Sequence, residues 1–157
     1  MGVAGCGKST VGAAVAEMVG ATYLDGDDLH PPENIAKMSS GQPLNDTDRV
    51  PWLAKVGQTL RDHVGVTLIG CSALKRSYRD IIRDAAGDPV CFLHLSGSRT
   101  VIESRMSQRT GYFMPVALLD SQFATLEPLQ PDEQGVVVDI DQPLEDIVAE
   151  LVPLLDD

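Results

Sequence analysis

A glycine-rich octapeptide near the start of the chain places the strongest constraint on its fold. Residues 2–9 read Gly-Val-Ala-Gly-Cys-Gly-Lys-Ser and match G-x-x-x-x-G-K-[ST] at every fixed position. In this pattern glycines let the backbone wrap around phosphate oxygens, and the N-terminus of the following helix adds a positive dipole. A helical pattern does begin at Lys8, so the segment predicts a phosphate-binding loop. The alternative interpretation is an ordinary glycine-rich turn that enters a helix.

This loop predicts how ATP and Mg²⁺ are bound. We expect the nucleotide phosphates to contact Gly2, Val3, Ala4, Gly5, Cys6, Gly7, Lys8, Ser9 and Thr10. Lys8 is the predicted catalytic lysine at the outer phosphates, and the Ser9 hydroxyl is a predicted Mg²⁺ ligand. Cys6 stands at a variable position of the motif. It is either a redox-sensitive thiol activated by the helix N-terminus or, as we prefer, a small side chain that the loop tolerates.

The remaining chain alternates short β-branched runs with longer helical patterns. Strands are predicted at residues 21–24, 66–71, 90–95 and 136–140, and helices at 8–19, 77–86, 98–109, 116–126 and from 143 onwards. This order predicts one α/β domain over residues 1–157 with a mainly parallel sheet. A phosphate loop normally follows a buried strand, and only Met1 precedes Gly2, so we expect the first strand to be truncated here.

Composition excludes several other classes of protein. The 157 residues carry a net charge of −11, and residues 84–157 hold only three basic residues against fourteen acidic ones. Such a chain lacks the basic surface needed for nucleic acid or for an anionic membrane. It has no apolar run of membrane-spanning length, and its three scattered cysteines are typical of reduced cytoplasmic thiols.

An acidic turn follows the first predicted strand. Asp25, Asp27 and Asp28 stand where that strand ends, and ligands of parallel α/β sheets collect at the carboxyl ends of strands. Two carboxylates spaced i, i+2 can divide the work, one ordering Mg²⁺ and the other accepting the proton of a substrate hydroxyl. Taken alone, however, the segment favours a merely solvated acidic turn.

Several motifs together resemble the bacterial-type gluconokinase family over essentially the whole chain. They are the phosphate loop 2–9, Leu-Asp-Gly-Asp at 24–27 with Leu-His-Pro at 29–31, Asn-Ile-x-Lys-Met at 34–38, Gly-x-Pro-Leu-Asn-Asp-x-Asp-Arg-x-Pro-Trp-Leu at 41–53, Cys-Ser-Ala-Leu-Lys at 71–75 with Tyr-Arg-Asp at 78–80, and Val-Asp-Ile-Asp-Gln-Pro-Leu at 138–144. The middle motifs are much more specific than the phosphate loop. The chain departs from the family at Cys6, where serine is usual, and in the missing first strand.

The resemblance implies a fold, a reaction and a set of site residues. The fold would be the three-layer P-loop NTPase or nucleoside-kinase-like fold, similar to shikimate kinase, with a small lid over about residues 105–120. The reaction would convert D-gluconate and ATP to 6-phosphogluconate and ADP in the cytoplasm, carried out by a homodimer. Asp27 would face the substrate hydroxyl as the catalytic base, Asp25 would face the metal, and His30 and Arg49 would contact the substrate.

Other basic residues are candidates for the substrate and the phosphates. Lys75 and Arg79 share a helix face with Arg83 and form the predicted pair for a sugar-acid carboxylate. The alternative is an exposed basic face that pairs with neighbouring aspartates, which we prefer for Arg83. Arg109 is the predicted catalytic arginine at the transferring phosphoryl group, and Arg105 is predicted to flank the adenine. Both are also compatible with solvated helix arginines.

Two activities besides gluconate phosphorylation fit these features. One is another small-molecule kinase of this fold, for shikimate or a nucleoside monophosphate. Shikimate is disfavoured because residues 71–75 replace the expected glycine run. The other is a nucleotide-binding regulator without turnover, which the acidic turn argues against. Trp52 is expected in the core rather than as a platform for a sugar ring.

Overall fold

The computed structural model describes residues 1–107 and 116–155, except for the side chains of 116–118. Its helices are α1 (Lys8–Val19), α2 (Pro32–Ser39), α3 (Asp46–Asp62), α4 (Arg76–Ala86), α5 (Arg99–Ser107), α6 (Val116–Thr125) and α7 (Leu144–Leu155), and its strands are β1 (Thr22–Asp25), β2 (Thr67–Gly70), β3 (Phe92–Ser96) and β4 (Gly135–Asp139). A short 3₁₀-helix, Gly26–Leu29, follows β1. The predicted elements therefore form where the sequence pattern placed them, within a few residues.

The strands form two parallel pairs. β1 pairs with β2 in a register that sets Thr22 opposite Thr67, and β3 pairs with β4 with Phe92 opposite Gly135. Parallel pairing requires a crossover between successive strands, which the helices provide. The prediction of a mainly parallel sheet is confirmed.

Helices cover both faces of these strands and bury two clusters of side chains. On one face, Val15 of α1 and Leu151 of α7 pack near Leu95 of β3. On the other, Leu53 of α3 and Ile82 of α4 pack in the cluster that contains Phe92 of β3. Side chains of a strand alternate between its two faces, so Phe92 and Leu95 reach opposite layers. The result is the predicted three-layer α/β arrangement.

The contact between α3 and α4 depends on one glycine. A Cβ atom on Gly57 would lie 2.4 Å from the carbonyl oxygen of Ile82, so no larger residue fits between the helices. The start of α3 is fixed by a capping box, in which the Asn45 side chain accepts from the Asp48 backbone N–H and the Asp48 side chain accepts from the Asn45 backbone N–H. These features position the residues of α3 that face the acidic turn.

Met1 and Gly2 join the two strand pairs. The Met1 amino group donates to the Leu93 carbonyl at 2.6 Å, and the Leu95 N–H donates to the Met1 carbonyl at 2.9 Å, so that Met1 pairs in parallel with the edge of β3 opposite β4. The Gly2 N–H donates to the Ser72 carbonyl, just beyond β2. Burial lowers the pKa of the Met1 amino group to about 6.

Behind Met1 a cavity of about 330 Å³ separates β2 from β3. Its walls are mostly apolar and include Val11, Val56, Leu68, Leu93 and Leu151. Since Met1 already pairs with one edge of β3, we expect an apolar strand added before it to enter this cavity. No helix in the described part of the chain is long and apolar enough to cross a membrane.

We predict that a strand added before Met1 stabilises the protein. Four or five valine and isoleucine residues fused ahead of Met1 should raise Tm by roughly 5–10 °C, because each buried aliphatic side chain contributes about 1.5–3 kcal/mol before the ordering cost is subtracted. Thermal unfolding followed by circular dichroism measures the change. A glycine-serine extension of equal length is the matched control, and an equal Tm for both extensions would contradict the prediction.

Candidate active site

The phosphate loop ends at the open N-terminus of α1. Gly7 precedes the helix with a φ of 95°, a left-handed conformation that favours glycine, and no side chain caps the helix. The first N–H groups of α1 therefore remain available to an anion. The loop borders a cavity of about 300 Å³ whose lining is Ala4, Gly5, Gly7, Lys8, Ser9, Thr10, Tyr23, Asp25, Asp27, Gly70, Cys71, Ser72 and Gln122.

Lys8 is folded onto its own loop. Its ammonium group donates to the carbonyl oxygens of Gly2 at 3.0 Å and Val3 at 3.2 Å. Cys6 is fully buried, and a Cβ atom on Gly2 would lie 2.7 Å from its sulfur. This placement agrees with Cys6 as a small packing residue rather than an accessible thiol. The predicted contact of Lys8 with the outer phosphates stays a prediction.

The acidic turn faces the phosphate loop across the same cavity. Asp25 ends β1, and its Oδ1 accepts the Asp27 backbone N–H at 3.0 Å, which starts the 3₁₀-helix. The Asp27 side chain is 84% exposed. Partial loss of solvation between the cavity walls, and then the negative charge of Asp25, raises the pKa of Asp27. A raised pKa makes a carboxylate a better proton acceptor.

Buried aromatic side chains support the acidic turn from below. Trp52 Nε1 donates to the Gly26 carbonyl oxygen at 2.7 Å, and the indole ring stacks on His30 with ring centroids 4.1 Å apart. Trp52 is 5% exposed, so its predicted place in the core is confirmed. His30 Nε2 lies 4.0 Å from Asp27 Oδ1, and the His30 side chain is only 6% exposed. Burial lowers the pKa of His30, which favours the neutral imidazole.

Arg49 and Lys75 meet around one tyrosine and one carboxylate. Lys75 Nζ lies 3.1 Å from Asp46 Oδ2, and the Tyr78 hydroxyl donates to Asp46 Oδ1 at 2.5 Å. Arg49 donates to the Tyr78 hydroxyl oxygen at 3.2 Å. Both cations also lie over the Tyr78 ring, at 5.5 and 5.4 Å from its centroid. Hydrogen bonds from Tyr78 and Lys75 lower the pKa of Asp46, so this group is built to hold a carboxylate ion.

The placement of Arg79 differs from the sequence expectation of a substrate contact. Its side chain is fully buried and forms a bidentate pair with Glu133, with Nε to Oε1 at 2.7 Å and Nη2 to Oε2 at 3.0 Å. Its Nη1 donates to the carbonyls of Ala73 and Leu74, and the second N–H of Nη2 donates to the Pro128 carbonyl. With these partners it has no donor left for a substrate. The sequence spacing groups Arg79 with Lys75 and Arg83 on one helix face, but the Arg79 side chain packs into the interior of the protein.

Arg83 and Arg105 bind other parts of the protein and do not line the cavity beside the phosphate loop. Arg83 pairs with Asp80 at 2.6 Å and Glu133 at 3.0 Å, as the preferred alternative for it expected. Arg105 donates to the carbonyls of Ile140 and Gln142 beyond β4, and its predicted contact with adenine stays a prediction. Arg109, and most of the predicted lid, lie outside the described residues.

Oxygen ligands for Mg²⁺ are present on both sides of the cavity. The Ser9 hydroxyl lies at the start of α1, and the Asp25 carboxylate lies at the end of β1. A hydroxyl and a carboxylate, completed by phosphate oxygens and water, are the ligands that this cation prefers. The residues present therefore fit the metal. Within the described residues no cluster of three or more His, Cys, Asp or Glu side chains offers an all-protein metal site.

Sequence reasoning missed four residues that line or support the site. In the sequence, Asp46 and Tyr78 stand out only as parts of longer motifs, and no pattern indicates a role for Tyr23 or Gln122. Tyr23 lies between the phosphate loop and β2, with its hydroxyl 3.5 Å from Ser9 Oγ. Gln122 reaches the loop from α6. No local pattern marks these residues, because each acts through a contact that is distant in sequence.

Comparison with known protein families shows which class of protein the chain belongs to. The family model described as "Shikimate kinase" matches residues 4–127, which include residues 4–9 of the phosphate loop and the whole acidic turn. The fold and site are those of a P-loop kinase of the shikimate kinase type.

Similarity to individual relatives identifies the family within this class. The chain is 48% identical to the thermoresistant gluconokinase of Escherichia coli (strain K12), over 99% of this chain and 90% of that protein. It is 44% identical to the gluconokinase of Gluconobacter oxydans (strain 621H), over 97% and 86%. A solved gluconokinase structure from Sinorhizobium meliloti 1021 superimposes with a TM-score of 0.88 at 50% identity, over 99% of this chain and 88% of that one. The chain belongs to the gluconokinase family.

We predict that the buried ion pair stabilises the protein in a pH-dependent way. Glu133→Gln leaves the Arg79 charge buried without its partner and should cost about 3–5 kcal/mol of unfolding free energy, measured by urea denaturation at pH 7. The Arg79 hydrogen bond lowers the pKa of Glu133 from 4.5 to about 2. The difference between wild type and variant should therefore be complete above pH 4.5 and shrink as the pH falls towards 2.

Asp132→Asn is the matched control, because Asp132 pairs with Arg76 at a side chain that is 68% exposed. It should cost clearly less than Glu133→Gln. Equal losses in the two variants would show that burial of the pair is not what matters.

Proposed function

We propose that this protein transfers the γ-phosphoryl group of ATP to D-gluconate and releases 6-phosphogluconate and ADP. The observation that carries the proposal is a single cavity with a phosphate loop on one side and two carboxylates on the other. Such a cavity brings a nucleotide and a hydroxyl acceptor together for in-line transfer. Membership of the gluconokinase family supports gluconate as the acceptor.

The proposed mechanism assigns one task to each side of the cavity. The N–H groups of the loop and of the α1 N-terminus bind the nucleotide phosphates, and Lys8 leaves the Gly2 and Val3 carbonyls to neutralise their outer charge. Asp27 accepts the proton of the attacking hydroxyl, and its raised pKa suits that task. Ser9, with help from Asp25, would hold Mg²⁺, which would supply charge neutralisation at the phosphates.

The sugar acid is proposed to bind on the side of the acidic turn. Arg49, Lys75 and Tyr78 already hold the Asp46 carboxylate, and an aldonate carries the same group. His30 lies 4.0 Å from Asp27 and stacks on Trp52, which is one turn of α3 beyond Arg49. We propose that the substrate carboxylate shares or replaces the contacts of Asp46, with His30 beside the sugar hydroxyls. Arg109 remains the proposed arginine for the transferring phosphoryl group.

We also propose that the protein is a homodimer and that it acts in the cytoplasm. Both expectations come from the family resemblance, and light scattering and cell fractionation test them. Phosphorylation of a nucleoside monophosphate is a weaker alternative, because the paired cations around Asp46 suit a carboxylate. Shikimate also carries a carboxylate, but it is disfavoured because residues 71–75 replace the expected glycine run.

We predict that turnover is selective for gluconate. A coupled assay of ADP release with ATP and Mg²⁺ should give kcat/KM for gluconate at least about 100-fold above that for shikimate or nucleoside monophosphates, because unpaired buried polar groups penalise the wrong acceptor. Other aldonates test the stereochemical preference. Binding of ATP without turnover of any acceptor would instead support a regulator.

We predict that Asp27→Asn lowers kcat by about 10²–10⁴-fold while nucleotide affinity is retained, because the base is lost and the phosphate loop is not. Since the pKa of Asp27 lies above its ordinary 3.8, wild-type kcat/KM should also fall as the pH drops towards that carboxyl's raised pKa. The matched control is Asp28→Asn, an exposed neighbour in the same turn. Unchanged kcat in Asp27→Asn would show that the base assignment is wrong.

A further inference from the structure

Gln122 connects helix α6 to the phosphate loop. The Ala4 backbone N–H donates to Gln122 Oε1 at 2.6 Å across 118 residues of sequence. The Gln122 side chain lines the same cavity as Lys8, Asp25 and Asp27. It is therefore the contribution of α6 to a site otherwise built from the loop and the strand ends.

The orientation of the Gln122 amide follows from its partner. A backbone nitrogen only donates, so the carboxamide oxygen must face Ala4 and the NH₂ group must lie on the other side. Among the residues that the structure describes, this NH₂ group has no hydrogen-bond partner. Two polar N–H donors at the cavity wall are thus left for a ligand.

The end of α6 is held in place just beyond Gln122. The Glu127 N–H donates to the Leu74 carbonyl at 2.7 Å, and the Arg76 N–H donates to Glu127 Oε1 at 2.8 Å. Leu126 closes the helix with a bond back to the Gln122 carbonyl. Gln122 therefore lies about one helical turn from a fixed point, which reduces the cost of ordering its side chain around a ligand.

The position of Ala4 in the phosphate loop indicates which phosphate of the nucleotide Gln122 would contact. Ala4 directly follows Gly2 and Val3, whose carbonyls hold the Lys8 ammonium group. A loop lysine of this type acts on the outer phosphates, whereas the N–H groups of the helix start hold the inner ones. Gln122 thus contacts the part of the loop that holds Lys8, and Asp27 lines the same cavity.

We propose that Gln122 is a further catalytic residue, whose carboxamide donates to the terminal phosphate of the nucleotide during transfer. This inference rests on the proposed kinase function. A preorganised neutral donor stabilises charge on the transferring group without adding a cation to the site. The hydrogen bond from Ala4 keeps the donor side of the amide turned towards the cavity.

Three variants test this role. Gln122→Ala removes both the acceptor and the donors. Gln122→Glu keeps an acceptor for the Ala4 N–H but has no donor, and Ser121→Ala changes an exposed neighbour on the same helix as the control. Calorimetry gives the affinities for ADP and for a non-hydrolysable ATP analogue, and the coupled assay gives kcat with gluconate.

For Gln122→Ala we expect unchanged ADP affinity, a loss of about fivefold or more in affinity for the ATP analogue, and a fall in kcat on the order of 10²-fold. Gln122→Glu should lose at least as much, because a carboxylate also repels the phosphate. Ser121→Ala should match wild type in every measurement.

Two results would overturn the inference. Wild-type kcat in Gln122→Glu would show that the Ala4 contact is only a structural support for α6. Equal losses for ADP and the ATP analogue in Gln122→Ala, together with a lower Tm, would show the same. If wild type fails to phosphorylate gluconate, the proposed function fails, while the comparison of ADP with the ATP analogue still reports whether Gln122 contacts the terminal phosphate.

Discussion

The buried pair of Arg79 and Glu133 connects segments that are far apart in the chain. Arg79 belongs to α4, Glu133 belongs to the loop before β4, and the guanidinium also binds the carbonyls of Ala73 and Leu74. Ala73 has a φ of 45°, an unusual conformation for a residue other than glycine, with a cost of about 1–3 kcal/mol. The pair therefore fixes a strained turn whose preceding residues, Cys71 and Ser72, line the cavity.

The same turn supports the opposite wall of the site. The Leu74 carbonyl accepts the N–H of Glu127, just beyond the end of α6. In the acidic turn, Gly26 packs so closely on β2 that a Cβ atom would lie 2.6 Å from the Gly70 carbonyl oxygen. Trp52 then holds Gly26 from the other side. Backbone contacts and the Asp25 Oδ1 cap thus place the acidic turn, which leaves Asp25 Oδ2 and the Asp27 carboxylate for ligands. Preorganisation of this kind is the main source of catalytic power in phosphoryl transfer.

Much of the fold was predictable because its signals are local. The helix at Lys8 and the strand at 136–140 follow from hydrophobic periodicity and composition within short windows. The meeting of the phosphate loop with Asp25 and Asp27 was also predictable, since carboxyl ends of parallel strands share one edge of the sheet.

The remaining site contacts could not be predicted from the sequence. An arginine that binds a substrate and one that binds a buried glutamate have the same local spacing, and the partner of Arg79 lies 54 residues away. Tyr78 and Asp46 are separated by 32 residues. Such pairs are decided by which helix face turns inward, and a helix with a strongly basic face gives no local indication of that.

The backbone bonds of Met1 and Gly2 have a consequence for cooperativity. Each strand pair is a unit that can open locally, and the bonds of Met1 and Gly2 are one of the links between the two pairs, beside the buried Arg79–Glu133 pair. The link through Met1 and Gly2 is continuous with the phosphate loop. A nucleotide bound there would therefore restrain both units at once, so that they open together when the site is filled and more independently when it is empty.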